Sequence, residues 1–502
     1  MILFLLMKTV SLLPFFVLTT IFLSRIIAYL VFPVILEHDE IVVSEISKLP
    51  FGELLETVAA EPHPPGFYLL LKAIPFEEKN LVKIFLSVIG FFLFTASLLV
   101  CYRKGLAQKY GFTFGLSLFL ASNLVVSVFS TLKQDIISFP LLLILFFLAI
   151  YLLEKKKFDI KSLLSIHILL VILLFLGYIA YAVGLLLILL VTVYYYKEKI
   201  PKLLFGFQLS VLLFYIIFFG FEQILINSGR LEWIRGVENS FVHSASRFLT
   251  GMVPESLSID VVLLTFFTFL LVGLRHISKI KKKEVGFGLA IIFLILFFSA
   301  YVTRSFVRER YTMFLFFLAS LIWGWGIAGI SRKYKFLVRT IPFFIVTLLL
   351  FNILLFTFQR KVFAKKTKEL DSILIEKSEG KNIGLLFEHP TIAFTYKKEH
   401  NLGKNIVPIN VFSPGLSEKD LVNRKFLLAE ANFNNVSQKD IKDRFGKLNL
   451  DGYFYLFSNR ENETFDRERL VFRQIEVSCR KSLVYPFGGS TTLYLFEECD
   501  FD

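Results

Sequence analysis

The chain has 502 residues, 55% of them hydrophobic, with 60 phenylalanines and a mean hydropathy of +0.66. A water-soluble fold cannot hide that much apolar surface, so composition excludes an ordinary globular enzyme. Of the +14 net charge, residues 361–502 hold almost none, with 22 Lys+Arg against 21 Asp+Glu. The basic surplus therefore sits among the apolar runs, where it signals topology and excludes a nucleic-acid footprint.

Runs of roughly 18 or more apolar residues can cross a bilayer. They recur from the N-terminus to about residue 358. We place eleven spans, near residues 9–36, 80–101, 111–130, 137–153, 162–177, 179–196, 203–221, 258–274, 285–302, 311–330 and 340–358. The first run is too long for a signal-peptide core and lacks a small-residue cleavage site, so it reads as a retained helix.

The first connection, residues 37–79, is acidic. It carries Glu37-His38-Asp39-Glu40 and Glu61-Pro62-His63-Pro64-Pro65, with Glu45, Glu53 and Glu56 between them. Charge beside the bilayer core is costly and usually marks a site. Pro64-Pro65 stops a helix before it and fixes the backbone, which holds Glu61 and His63 in defined places.

Alternate later connections are basic. They carry Arg103-Lys104 with Lys109, Lys155-Lys156-Lys157 with Lys161, and Lys197 with Lys199 and Lys202. Then come Arg275 with Lys279 and Lys281-Lys282-Lys283, and Arg332-Lys333 with Lys335 and Arg339. By the positive-inside rule all five face the cytoplasm, which puts the N-terminus inside and both the acidic loop and residues 361–502 outside. This is the expectation for a multi-pass protein of the cell membrane.

The outer connection at 222–257 spaces Leu231, Ile234, Val237, Phe241 and Phe248 helically, with Arg230, Arg235 and Arg247 between. This predicts an amphipathic helix on the membrane surface; a lid over a site is the sharper alternative. The connection at 303–311 puts Arg304, Arg308 and Arg310 on the outer side, against the charge rule. They read either as lipid headgroup anchors or as an anion site, since the guanidinium offers a planar fork suited to phosphate.

Residues 361–502 read as a small α/β domain. Strands are predicted at 382–387, 405–411, 424–430, 452–457, 476–479 and 493–496, with helices at 391–398, 417–423 and 438–444. Cys101 ends a span, whereas Cys479 and Cys499 lie late in this domain, and a disulfide between them is left open.

The acidic pair after span one, followed by Pro62-His63-Pro64-Pro65-Gly66-Phe67-Tyr68, resembles the GT-C glycosyltransferases. The nearest groups are the protein O-mannosyltransferases of glycosyltransferase family 39 and the aminoarabinose transferases of lipid A. Arg310-Tyr311 opening a late span is a second match, and Gly177-Tyr178-Ile179-Ala180-Tyr181-Ala182-Val183-Gly184 a weaker third. The resemblance covers residues 9–330 in architecture and a few dozen by motif. Departures stand beside it: Lys133-Gln134-Asp135 occupies a loop where the family often has Arg-x-Tyr, Lys83 replaces an arginine, and Glu61 stands three residues before Pro64 where aminoarabinose transferases have Glu two before.

The resemblance implies a GT-C-like catalytic domain over residues 1–360 and an extracytoplasmic α/β domain over 361–502. It implies transfer of sugar, with inversion, from a polyprenyl-phosphate donor to a lipid, glycan or protein acceptor. Asp39 would be the base, Glu40 a helper and Glu61 a third catalytic carboxylate. Arg310, Arg308 and Arg304 would clamp the donor phosphate, assisted by His63, Lys83 and Lys133. Asp39, Glu40, Glu61 and His63 could hold a divalent cation, although no ligand spacing is diagnostic. The competing readings are a transporter or flippase of lipid-linked sugars and a catalytically dead glycan-binding relative. A transporter would more often show broken helices and ionisable residues at the midplane.

Overall fold

We describe the protein from a computed structural model. It describes residues 2–32, 38–59, 63–76, 78–106, 110–155, 159–220, 271–275, 293, 313–331, 336–387, 396–397, 400–409, 438–448, 450–458, 470–488 and 491–501. Among these residues it is a largely helical protein. Six helices are long and apolar enough to cross a membrane, and a small mixed sheet follows them. The spans expected at 258–274 and 285–302 and the amphipathic segment at 222–257 lie largely or wholly outside the described residues.

The first span is α1 (Ile2–Val31). Residues 37–79, expected as a loop, hold three short helices: α2 (His38–Lys48), α3 (Phe51–Ala59) and α4 (Gly66–Ala73). Ile46, Leu54, Val58 and Tyr68 give them a small apolar core of their own. The proline pair ends just where α4 begins, as proline is tolerated at a helix start. Gly66 opens α4 against the end of a later helix: a Cβ there would overlap the Phe175 carbonyl.

The second span is α5 (Lys79–Arg103). The third, expected as one run over 111–130, is broken into α6 (Tyr110–Leu120) and α7 (Asn123–Val128). Ser122 caps α7 by accepting from the Val125 amide, and the Asn352 amide donates to the freed Ala121 carbonyl at 2.9 Å. A break inside apolar surroundings needs such side chains to satisfy the backbone. Helix α8 (Asp135–Lys155) follows. Helices α9 (Ile160–Leu176) and α10 (Tyr178–Tyr194) are joined by Gly177 alone, in extended conformation. They fold back on each other, with Gly184 against Leu170. Helix α11 (Lys199–Tyr215) ends in one π-helical turn, Ile216–Gly220.

Helix α12 (Met313–Ser331) packs on α6 through glycines. A Cβ on Gly324 would overlap the backbone of Gly111 and Gly115, so small residues set the close approach. Around this seam the phenylalanines meet edge to face; Phe146 and Phe317 lie 5.1 Å apart at 85°.

Helix α13 (Leu337–Lys377) is 41 residues long. At 1.5 Å per residue it measures about 60 Å, roughly twice a hydrocarbon core. Its first half is apolar; its last turns carry Leu370 and Leu374 into the core of the sheet unit, beside Ile383, Leu385, Phe454 and Leu495. Asp371 on the same helix accepts from the Tyr396 hydroxyl at 2.6 Å and pairs with His400 Nδ1 at 2.8 Å. The two rings stack 4.0 Å apart. Burial and that carboxylate push the Tyr396 hydroxyl well above its usual range.

The sheet runs β2-β1-β3-β5-β4. Its strands are β1 (Ile383–Phe387), β2 (Ile406–Pro408), β3 (Gly452–Ser458), β4 (Arg480–Gly488) and β5 (Thr491–Glu497). The β2-β1-β3 side is parallel and the β3-β5-β4 side antiparallel. Helices α14 (Gln438–Gly446) and α15 (Leu470–Ser478) contribute Phe445, Val471 and Ile475 to an aromatic core with Tyr453, Tyr455 and Phe496. One expectation is corrected here. Residues 476–478 end helix α15, Cys479 is a bend and the strand begins at Arg480; the apolar residues Val471, Phe472 and Ile475 mark a helical face that a short apolar run conceals. Cys479 and Cys499 are joined as a disulfide. The elements expected at 417–423 and 424–430 lie outside the described residues.

Candidate functional site

The site forms around the loop between α7 and α8, residues 129–134. Backbone that leaves a helix among apolar neighbours cannot find water, so its carbonyls and amides need protein partners. Here four helices supply them. From α1, Tyr29 donates to the Phe129 carbonyl at 2.7 Å, and Arg25 Nη1 donates to Ser130 Oγ at 3.1 Å. From α5, Ser87 donates to the Phe129 carbonyl at 3.4 Å, and Lys83 Nζ donates to the Ser130 carbonyl at 3.2 Å. From α13, Arg360 Nη2 reaches the same Ser130 carbonyl at 3.4 Å. From α2, Glu40 accepts from the Leu132 amide.

The charges at this loop are held together. Lys83 Nζ lies 2.9 Å from Glu40 Oε1, with both side chains buried. Two ions taken out of water cost several kcal/mol each, and only a close pair with further hydrogen bonds offsets that. Glu40 and Lys83 have both. Arg25 is 2% exposed, and its guanidinium lies 4.8 Å above the Phe356 ring. Arg360 lies 5.4 Å from the same ring. Among the described residues, three cations and one carboxylate meet here. The buried ion pair on its own is weak evidence for stability, but it fixes the first acidic motif against the loop.

Of the residues singled out from sequence, the structure brings Glu40 and Lys83 into this network. Lys133 lies half-buried in the same loop. His63 is half-buried, next to the buried Pro64 and Pro65. Asp39 stands in α2 directly before Glu40, with its side chain outside the described part. Glu61, Arg304, Arg308 and Arg310 lie outside the described residues, and so does the Arg310-Tyr311 match. In the Gly177–Gly184 motif, Tyr178 and Tyr215 share a hydroxyl–hydroxyl hydrogen bond of 2.7 Å. The two glycines serve packing.

Arg25, Tyr29, Ser130 and Arg360 are additions. Arg25 carried a readable signal, since it is a lone charge within an apolar run. Tyr29 lies four residues on, on the same face. Ser130 and Arg360 gave none; each looks like a span boundary. Among the described residues no three His, Cys, Asp or Glu side chains converge as a metal site would need.

Compared with known proteins, the chain matches no family model. No curated protein matches it.

Proposed function

We propose that the protein is an integral-membrane glycosyltransferase that moves a sugar from a polyprenyl-phosphate donor to a lipid, glycan or protein acceptor, with inversion. In this reading the eleven spans and the charge rule place the acidic first loop and the sheet domain on the non-cytoplasmic face of the cell membrane. The observation that carries it is the buried network in which the first acidic motif, through Glu40, is tied to Lys83 and to the loop 129–134. A membrane helix bundle gains nothing by burying Arg25, Lys83 and Glu40, with Arg360 half-buried beside them, unless charge has work there. The resemblance of the first loop then supplies the reaction class.

In the mechanism, Asp39 removes the proton from the acceptor hydroxyl while the acceptor oxygen attacks the anomeric carbon. The bond to the carrier phosphate breaks, and the phosphate leaves with the electron pair. A carboxylate that precedes Glu40 in the chain, at a membrane edge, is suited to that proton transfer. Lys83, with Arg304, Arg308 and Arg310 from the later connection, stabilises the charge growing on the phosphate, where fixed cations lower the barrier most. His63 and Lys133 orient donor or acceptor; Glu40 positions α2 and with it Asp39, and Glu61 is the third carboxylate of this loop.

The test is transfer in reconstituted lipid. Wild-type protein is supplied with radiolabelled polyprenyl-phosphate sugars and a membrane extract. Label should move to a new product, and Asp39→Asn should abolish this while the protein still inserts and folds. Label carried across the bilayer with no new product would replace the transferase by a flippase.

A further inference from the structure

Arg25 is buried in α1, yet only one edge of its guanidinium is used. Nη1 donates to Ser130 Oγ. Nε and Nη2 are buried and have no hydrogen-bond partner among the described residues. These two nitrogens form the side-on edge of the guanidinium, whose parallel N–H bonds match two oxygens of one tetrahedral or planar anion. Leaving two charged donors unsatisfied in apolar surroundings is among the more costly things a fold can do. Such an orphan calls for an explanation, and a ligand is one.

The surroundings favour an anion, with three cations among the described residues against the one carboxylate of Glu40, which pairs with Lys83. Arg360 stands one turn from Phe356 on α13, and Arg25 reaches across from α1 to the same ring. Lys83 and Arg360 converge on one carbonyl, that of Ser130, whose hydroxyl holds Arg25. Three cations thus come within one loop of each other. The aromatic ring beneath the guanidinium keeps its plane fixed, which lowers the entropy lost on forming a two-pronged contact.

We infer that the unused edge of Arg25, with Arg360 and Lys83 beside it, is a binding site for a phosphate-bearing anion. The inference deepens the transferase reading and rests on it only for the phosphate's being lipid-borne; the anion site itself stands on Arg25. It also joins two parts of the chain. Arg25 belongs to the first helix and Arg360 to the helix that runs on into the sheet unit, so a bound phosphate would bridge them.

The test is binding, measured without any sugar. Full-length protein in lipid nanodiscs is titrated with inorganic phosphate and, separately, with farnesyl phosphate, following the unfolding temperature. Wild type should be stabilised by at least one probe. Arg25→Gln should weaken that binding about tenfold or more, the loss expected for a charged two-pronged contact. Arg25→Lys, which keeps charge but not the fork, should weaken it as well. Arg360→Gln, a change at a half-buried site, should weaken binding even if Arg25→Gln fails to fold. Stabilisation by both probes marks a free-anion site; stabilisation by farnesyl phosphate alone marks a lipid-borne phosphate. The proposal is overturned if neither probe binds wild type, or if the Arg25 and Arg360 variants bind as tightly as wild type. Transfer activity with unchanged binding in these variants would sink this site and leave the transferase standing. Arg25-dependent binding in a protein that transfers nothing would do the reverse.

Discussion

At the scale of single residues, Glu40 and Lys83 are the pair on which the first acidic motif is anchored. Removing one partner strands a buried charge, so Lys83→Met should cost about 3–5 kcal/mol. Glu40→Gln keeps an acceptor for the Leu132 amide and removes the charge. The double variant should therefore cost clearly less than the two single costs added, because the stranded ion is gone. Denaturant unfolding in detergent measures all three; additive costs would mean that the pair is not coupled. None of this is visible along the chain. Glu40, Lys83, Ser130 and Arg360 are separated by dozens to hundreds of residues, and what unites them is the need of one loop for hydrogen-bond partners. The sequence marks Glu40 because it stands in an acidic cluster, and it marks Lys83 by comparison. It cannot mark a serine that matters through its carbonyl as well as its hydroxyl.

At the scale of elements, the apolar runs were legible because length and hydropathy decide them. Helices were read to within a few residues at α5, α8, α9 and α10, and at α11 once its π-helical turn is included. The break between α6 and α7 was not, because it depends on Asn352, far along the chain, which serves the Ala121 carbonyl. Nor was α15, where a helix face looked like the start of a strand. The seam between α6 and α12 gives a direct test. Gly324→Ala sets a methyl against backbone that cannot yield like a flexible side chain, so it should destabilise by about 1–3 kcal/mol. Gly52→Ala, in α3 with open space around its Cβ, should be neutral or mildly stabilising. Folded yield after extraction and heating separates the two; equal behaviour would mean that the seam is not close-packed.

At the scale of the whole molecule, the sheet unit has its own ties. The disulfide Cys479–Cys499 closes a separation of 20 residues, and replacing both cysteines by serine should lower this unit's stability by about 3 kcal/mol, read from thermal unfolding with and without reductant. Its surface has a pH signature. The hydrogen bond from Lys381 holds the Glu497 carboxyl below its ordinary value of 4.5, and the same contact holds Lys381 above 10.5. Glu497 contributes stability above its unfolded pKa and loses it as pH falls through the lowered folded value. Lys381 contributes below its unfolded pKa and loses it as pH rises through the raised one. Stability from this pair should thus be flat between the two ordinary values and decline outside them. Glu497→Gln should flatten both limbs by a small amount, since the pair is exposed and solvent-screened. An unaltered profile in that variant would remove the pair from the account. Helix α13 has one further consequence. From Arg360 to Leu374 it runs about 21 Å without a break. Over that reach a tilt of about 5° at one end carries the other about 2 Å. A change in how Arg360 is held would reach the sheet as a shift of that size, without unfolding anything between.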